Sequence, residues 1–288
     1  MRRKEVQPTS TTRHLAERIE QLSIKRQEII RPILEHPREY VLLSVRAMAK
    51  RLHTDPATIV RIVRGLGFAG YREFQRHLHE LSLAYATSLD TMQSAGDVSM
   101  PSHVRDSLEH DLKNLQGLKN SLEARRLVAL AKRVHDARRI VLLAGDLAAT
   151  LAHYLEYQIS LLGLPIFAAT SAGRILHVVR AVNKKDLVLA ISFRRGLRQT
   201  IEGARQARTR GAYCVGISDT YVSPLARECD EVFLASIEST SFGASYAAPV
   251  ALLNALLAAI GQSRRAQTLA LVKEIAEEQR KGFRWYTQ

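Results

Sequence analysis

Along the first 85 residues the apolar positions recur with helical spacing. Leu15, Ile19, Leu22, Ile29, Ile30, Ile33 and Leu34 mark a helical segment over 13–36. His36-Pro37 ends it, because the residue before a proline is pushed out of the α region. Three shorter helical patterns follow at 44–52, 55–65 and 71–85, and no strand-like alternation occurs before residue 138. The stretch 86–105 is rich in Ser, Thr, Asp and Gly and weak in periodicity, which predicts a linker. A helix resumes near Asp106, with Leu108, Leu112, Leu115 and Leu118 on one face.

From residue 139 the pattern changes. The apolar runs RIVLLAG, LPIFAAT, DLVLAIS, AYCVGIS and EVFLAS alternate with helix-length segments near 148–162, 172–182, 198–210 and 222–228. Short apolar strands separated by helices predict a parallel sheet covered on both faces. The span 246–260 is apolar almost all round, but it is short for a membrane span and carries Pro249 and Asn254. It reads as a buried core helix or an interface helix. The predicted organisation is an all-α domain at 1–85, a linker at 86–105 and a five-stranded parallel α/β domain at 106–288.

The charge narrows the partner. The chain has 288 residues and a net charge of +14, and its pI is about 10.1. Residues 1–85 hold sixteen Lys/Arg against nine Asp/Glu, so the helical third is about twice as densely positive as the rest. Such a balance favours a polyanion, nucleic acid before an anionic membrane surface. The two cysteines, Cys214 and Cys229, are too few for a disulfide framework and read as buried thiols. The histidines show no metal spacing, the N-terminus has no apolar signal region, and no run reaches the length of a transmembrane helix. A cytoplasmic protein without cofactor or metal is expected.

The segment SVRAMAKRLHTDPATIVRIVRGLGFAGYREF carries the strongest signal. Ser44 caps a short helix that turns Val45, Met48, Ala49 and Leu52 inward. A turn at His53-Thr54 follows. Asp55 caps a second helix with Pro56 at its first position, where a missing amide costs nothing. Ile59, Ile62, Val63 and Leu66 form the buried stripe of that helix. Ala57, Arg61 and Arg64 fall on the opposite face, Asp55 and Thr58 are further candidate DNA-binding residues at its start, and Gly65 and Gly67 terminate it. Two short helices, a tight turn and an outward face with two arginines suit a helix-turn-helix that enters the major groove by its second helix. Arginine can bridge guanine O6 and N7 or grip a phosphate. Lys50, Thr54, Tyr71 and Arg72, with Arg51, are candidates for backbone contacts. The alternative at this point is a plain helical bundle with a solvated basic face.

The run Asp55-Pro56-Ala57-Thr58-Ile59-Val60-Arg61 and the following Leu66-Gly67-Phe68-Ala69-Gly70-Tyr71-Arg72-Glu73-Phe74 add a resemblance. Over about 14–83 the chain resembles the N-terminal domain of RpiR/MurR-type transcriptional regulators. The resemblance implies that the second helix is the recognition helix. Asp55 stands where that family usually has serine, and it preserves the capping role.

Residues 107–265 resemble the sugar isomerase (SIS) domain that follows in the same family, a flavodoxin-like fold. The matching stretches are RGAYCVGISD and SPLARECDEVFLAS. In that family, glycines and hydroxyls in two loops cradle a sugar phosphate. Here the first loop is Gly145-Asp146-Leu147-Ala148-Ala149-Thr150, lacking the second glycine and the serine. After Ser192 the second loop is Phe193-Arg194-Arg195-Gly196-Leu197 in place of a Ser-Gly-x-Thr type, with Thr200 on the helix that follows.

Two accounts of this site are open. In one, Arg194 and Arg195 bind an anionic ligand by side chain. Asp146 then bonds a hydroxyl or amine of the ligand, or pairs with an arginine. In the other, the pocket has decayed and the domain only assembles. Glu238 and the serines through Ser245 are further candidates for the same cleft, against a loop that merely caps the next helix. Glu238, with His177 weaker, is the candidate acid/base if the domain were an isomerase. The DNA-binding domain argues for a sensor that is not an enzyme. The expected partners are a palindromic double-stranded operator, a small anionic metabolite and a second copy of the chain, as dimer or tetramer, with no membrane.

Overall fold

The computed structural model describes Leu15 and residues 18–281 apart from 36, 42, 85–98, 195 and 222. The first domain is helical: α1 (Ile24–Glu35), α2 (Pro37–Tyr40), α3 (Val45–Arg51), α4 (Pro56–Gly65) and α5 (Tyr71–Ala84). The segment expected to run as one helix over 13–36 is broken by a turn at 21–23. The Gln27 amide donates there to Leu22 O at 2.8 Å and Glu20 O at 3.2 Å, which satisfies carbonyls the turn leaves open. Pro37 opens α2, as its fixed φ and missing donor suit a first helical position. The core joins Ile30, Ile33 and Leu34 of α1 to Met48 of α3, Ile59, Ile62 and Val63 of α4, and Phe74 and Leu78 of α5.

The helix expected from near Asp106 begins earlier. The helix α6 spans Met100–Ser121, so the last residues of the predicted linker are helical, and 86–98 lie outside the described residues. Pro101 in the first turn explains the start, since the amide it lacks has no helical partner there. The expected apolar face of α6 is divided. Leu118 is buried and Leu115 packs on the core, but Leu108 and Leu112 are exposed.

Next come α7 (Ala124–Asp136), β1 (Ile140–Leu143), α8 (Ala148–Ser160), β2 (Ile166–Ala169), α9 (Ala172–Arg180) and β3 (Leu187–Ile191). The chain continues through α10 (Arg198–Thr209), β4 (Tyr213–Ser218), α11 (Pro224–Arg227), β5 (Glu231–Leu234), α12 (Ala247–Ser263) and α13 (Arg265–Lys281). The helices α7 and α13 are additional to the predicted set.

The five strands pair in the order β2-β1-β3-β4-β5, all parallel. Alternate residues face opposite sides, as strand geometry requires. Ile140, Leu142, Leu189 and Ile217 join a core with α7, α8 and α12, while Val141, Leu143, Val188 and Cys214 join one with α9 and α10. Both faces are covered, which is why the strands read as continuous apolar runs. α12 is buried along Leu252, Leu253, Leu256 and Ile260, so it is a core helix. The buried Asp186 ties the starts of β1 and β3 together. It accepts Arg138 Nε and Nη2 at 2.8 Å each and the Asn183 amide at 2.9 Å, and it forms an ion pair with Arg139, whose Nε stands 3.3 Å away.

Candidate DNA-reading and ligand-sensing sites

In the helix-turn-helix, local chemistry sets each boundary. Ser44 Oγ accepts the Ala47 amide at 3.2 Å and caps α3. His53 turns the chain with φ 50°, and the Thr54 amide reaches back to Ala49 O at 2.9 Å. Asp55 caps α4 through the Thr58 amide at 2.8 Å. The same carboxylate accepts the Thr58 hydroxyl at 2.6 Å, and these bonds with the nearby Arg61 charge hold its pKa below the ordinary carboxylate value. At the other end Gly67 has φ +90° and lies under the Arg18 guanidinium, which donates to Leu66 O at 3.1 Å. A side chain at Gly67 would be strained by its backbone and would have to displace the Arg18 guanidinium.

Lys50, Asp55, Ala57, Arg61, Arg64 and Arg72 are exposed, and Ser44 beside them is exposed too. Thr54 and Thr58 are half-buried. Two side chains named as backbone contacts are engaged within the domain. The Tyr71 hydroxyl donates to Leu43 O at 2.7 Å, and burial lifts its pKa to about 12. Arg51 lies over the Tyr40 ring and bridges Glu39. Spacing placed both on the surface, but their partners come from the α2–α3 segment, which spacing does not show.

At the carboxyl ends of the strands, the loops after β1, β3 and β4 meet. Gly145 is buried because the loop after β3 rests on it. A Cβ there would lie 2.7 Å from Leu197 Cδ1 and 3.2 Å from Gln199 Nε2. Asp146 follows with φ 53° and is exposed. In the second loop Ser192 is buried and its Oγ accepts the Leu197 amide at 3.3 Å. Arg194 has φ 56° and Gly196 φ 67°, so the chain doubles back sharply. The Arg194 amide donates to Asp219 Oδ1 at 2.9 Å. Burial pushes the Asp219 carboxyl up, against the lowering by that amide and by the Ser218 hydroxyl. Burial also lifts the Tyr246 phenol to about 12; Asp146 and Asp219 push the same way and Arg194 opposes. The Tyr246 ring stands 5.4 Å from that of Phe193. Asp146, Arg194, Asp219 and Tyr246 thus share one electrostatic neighbourhood. Asp219 and Tyr246 are not in the set read from the sequence, although Asp219 ends the quoted RGAYCVGISD run.

The remaining candidates divide. The Thr150 hydroxyl donates to Leu147 O at 2.7 Å, inside its own helical turn. Thr200 is fully buried in the first turn of α10, and its Oγ1 has no hydrogen-bond partner among the described residues. Arg195 lies outside the described residues. Glu238 and Ser245 are tied to α6. Asn114 Nδ2 donates to Glu238 O at 2.8 Å, His110 Nε2 stands 3.5 Å from the Glu238 carboxylate, and the Ser245 hydroxyl donates to Asp111. Ser107, Asp111, Ser241, Phe242 and Ser245 line an open groove of about 550 Å³ there. A cleft of about 590 Å³ lies between α1 and the α11–β5 edge, and none of the candidate ligand residues lines it. Among the described residues no three His, Cys, Asp or Glu side chains form a metal-binding group, and no helix is long and apolar enough to cross a membrane.

Comparison with known proteins agrees with this layout. Residues 10–84 match the family model of the rpiR-family helix-turn-helix domain, and residues 133–259 match that of the SIS domain. The HTH-type transcriptional regulator HexR of Pseudomonas aeruginosa is 24% identical over 210 residues, covering 73% of each chain. In fold, the α/β domain is similar to the sugar isomerase domain of an RpiR transcription factor from Sphaerobacter thermophilus. The TM-score is 0.58 at 24% identity, over 62% of this chain and 98% of that one. The NanR protein of Vibrio vulnificus, solved in complex with ManNAc-6P, aligns over 93% of this chain and 97% of its own, with TM-score 0.56 and 22% identity. With an rpiR-family helix-turn-helix domain, a SIS domain and relatives named as transcriptional regulators, the chain is a transcriptional regulator built from these two domains and has a regulatory, not an enzymatic, role.

Proposed function

We propose that this regulator controls a metabolic operon in response to a small anionic metabolite. α4 enters the major groove by its N-terminal end. Arg61 and Arg64 read base edges or grip phosphates, while Ser44, Lys50, Thr54 and Arg72 contact the backbone. The observation that carries the reading is the division of α4. Ala57, Arg61 and Arg64 are exposed while Ile59, Ile62 and Val63 are buried, on a helix whose cap is satisfied. Two copies sit on a palindromic operator, since paired half-sites call for two-fold symmetry. The row Met100, Val104, Leu108 and Leu112 on α6, each more than 60% exposed at four-residue spacing, supports self-association.

The metabolite sits beyond the carboxyl ends of β1 and β3, where open α/β sheets bind ligands. Arg194, with Arg195, holds its acid group, and Asp146 and Tyr246 take its hydroxyls or amines. The sugar phosphate in the NanR complex supports an anionic ligand. Binding changes DNA affinity only if the ligand binds the two arrangements of the DNA-reading domains unequally. A second reading is favoured by one contact: Leu197 and Gln199 lie directly on Gly145, filling the space between the loops. In that reading the SIS domain serves assembly alone.

A thermal-shift screen against phosphorylated sugars, sugar acids and small carboxylates separates the two. A ligand that binds only the native state raises its melting temperature. The sensor reading expects a shift that vanishes when Arg194 and Arg195 are both replaced by Ala. A shift untouched by that replacement overturns the assigned site, and a screen without shifts favours assembly alone. Arg61→Ala is expected to abolish most of the sequence-specific binding, and specificity unchanged by the replacement would remove the role of α4.

A further inference from the structure

At the start of α4 three side chains are linked in series. Asp55 Oδ1 accepts the Thr58 amide at 2.8 Å and Asp55 Oδ2 accepts the Thr58 hydroxyl at 2.6 Å. Thr58 Oγ1 accepts a hydrogen from Arg61 Nη2 at 3.2 Å, and Arg61 Nε donates to Ala57 O at 3.3 Å. A hydroxyl has one hydrogen to give. Because that of Thr58 goes to Asp55, its lone pairs face the guanidinium. The two Arg61 bonds take Nε and one Nη2 hydrogen. Both Nη1 hydrogens and the second Nη2 hydrogen stay outside them, and these form the end-on fork that matches guanine O6 and N7. A serine at 55 would cap the Thr58 amide, but it has no second oxygen to hold the Thr58 hydroxyl. The series therefore depends on the carboxylate that this chain carries where its resemblance to the family leads one to expect serine.

We propose that Asp55 and Thr58 are positioning residues for base reading, which aim the outer edge of Arg61 at a guanine in each operator half-site. Ala57 lies one turn before Arg61 on the same exposed face and offers a methyl group, which suits the methyl of a neighbouring thymine. The half-site is thus expected to hold a guanine read by Arg61 with a thymine beside it. The inference rests on α4 being the recognition helix. It goes further by assigning the preferred base and the residues that enforce it. A pre-aimed arginine loses less rotamer freedom on binding, so the relay favours the matching base over others.

The test is a binding selection by the full-length protein from a randomised duplex library, run for wild type, Thr58→Val, Asp55→Ser and Arg61→Ala. Thr58→Val keeps the shape and the capped amide but removes the hydroxyl. Asp55→Ser keeps a cap and removes the second oxygen, so it carries the test if Thr58→Val proves unstable. Wild type should enrich a half-site with guanine next to thymine, and Arg61→Ala should lose the preference at the guanine. Thr58→Val and Asp55→Ser should weaken that guanine preference by about tenfold, the scale of one arginine–guanine fork, and leave the other positions unchanged. A guanine preference undiminished in both variants overturns the relay while leaving α4 as the reader. A wild-type motif lacking an Arg61-dependent guanine also overturns it. A wild type that enriches no motif overturns the DNA-reading role of α4 as well.

Discussion

Replacing Gly145 by alanine drives a methyl group into the contact that closes the loops over the sheet. The new Cβ would lie 2.7 Å from Leu197 Cδ1, 3.2 Å from Gln199 Nε2 and 3.8 Å from Thr170 O. The third distance is ordinary contact, whereas the first two require movement. Both of those neighbours are the ends of flexible side chains, which puts the strain at the low end of the usual overpacking cost, about 1–2 kcal/mol. Alanine also restricts the unfolded chain, which offsets roughly 0.5 kcal/mol because the backbone at Gly145 lies outside the left-handed region. The net expectation is a destabilisation of about 1 kcal/mol, or a melting temperature lower by about 2–4 °C for a domain of this size. Leu197→Ala removes the atom in closest conflict. In that background Gly145→Ala should cost less, giving an interaction energy of about 1 kcal/mol in a double-mutant cycle. Calorimetric unfolding of the four proteins measures it. A cycle additive within about 0.3–0.5 kcal/mol would falsify the packing of the two loops against each other, and with it the contact that supports the assembly-only reading.

The other predictions concern the frame around the sites. Asp186→Asn leaves Arg138 and Arg139 facing a neutral group. Breaking a buried pair costs about 3–5 kcal/mol, and the half-exposed Arg138 can recover hydration, so about 2–3 kcal/mol and a melting temperature several degrees lower are expected. An unchanged melting temperature would show that the hub contributes nothing. Burial pushes the Asp186 carboxyl up, but hydrogen bonds from Arg138 and the Asn183 amide and the Arg139 charge bring it below its ordinary value. Its stabilisation is therefore complete above the unfolded pKa of about 3.9 and is lost as pH falls through the lower folded value. The gap in melting temperature between wild type and Asp186→Asn should narrow on acidification below about pH 4, and a constant gap contradicts the assignment. Burial raises the Cys214 thiol to about 12 and the Cys229 thiol further. A thiol reagent at pH 8 should label either one only as fast as the protein opens, and prompt labelling of the native chain would refute their burial.

The parts legible in the chain are those governed by neighbours a few residues apart. Ser44, Asp55, Pro56 and Gly67 mark the ends of α3 and α4 because caps and turns are satisfied within one helical turn. The five apolar runs mark the strands because a sheet covered on both faces leaves no polar position to interrupt them. The weak periodicity before Asp106 concealed the first turn of α6. Its Met100 and Val104 face outward, so no buried stripe marked them.

Side-chain partners drawn from far along the chain were not legible. Tyr71 finds Leu43 O, Glu238 and Ser245 find α6, and Arg194 finds Asp219, across separations of 25 to 134 residues. The sequence by itself determined the two-domain order, the helix-turn-helix and the parallel sheet, since capping, turn geometry and burial period are local properties. Only the tertiary structure decided which polar groups meet at the carboxyl ends of the strands. It also settled which candidates are consumed by the fold. A hydrogen bond between distant residues depends on where the backbone carries them, and no local pattern encodes that.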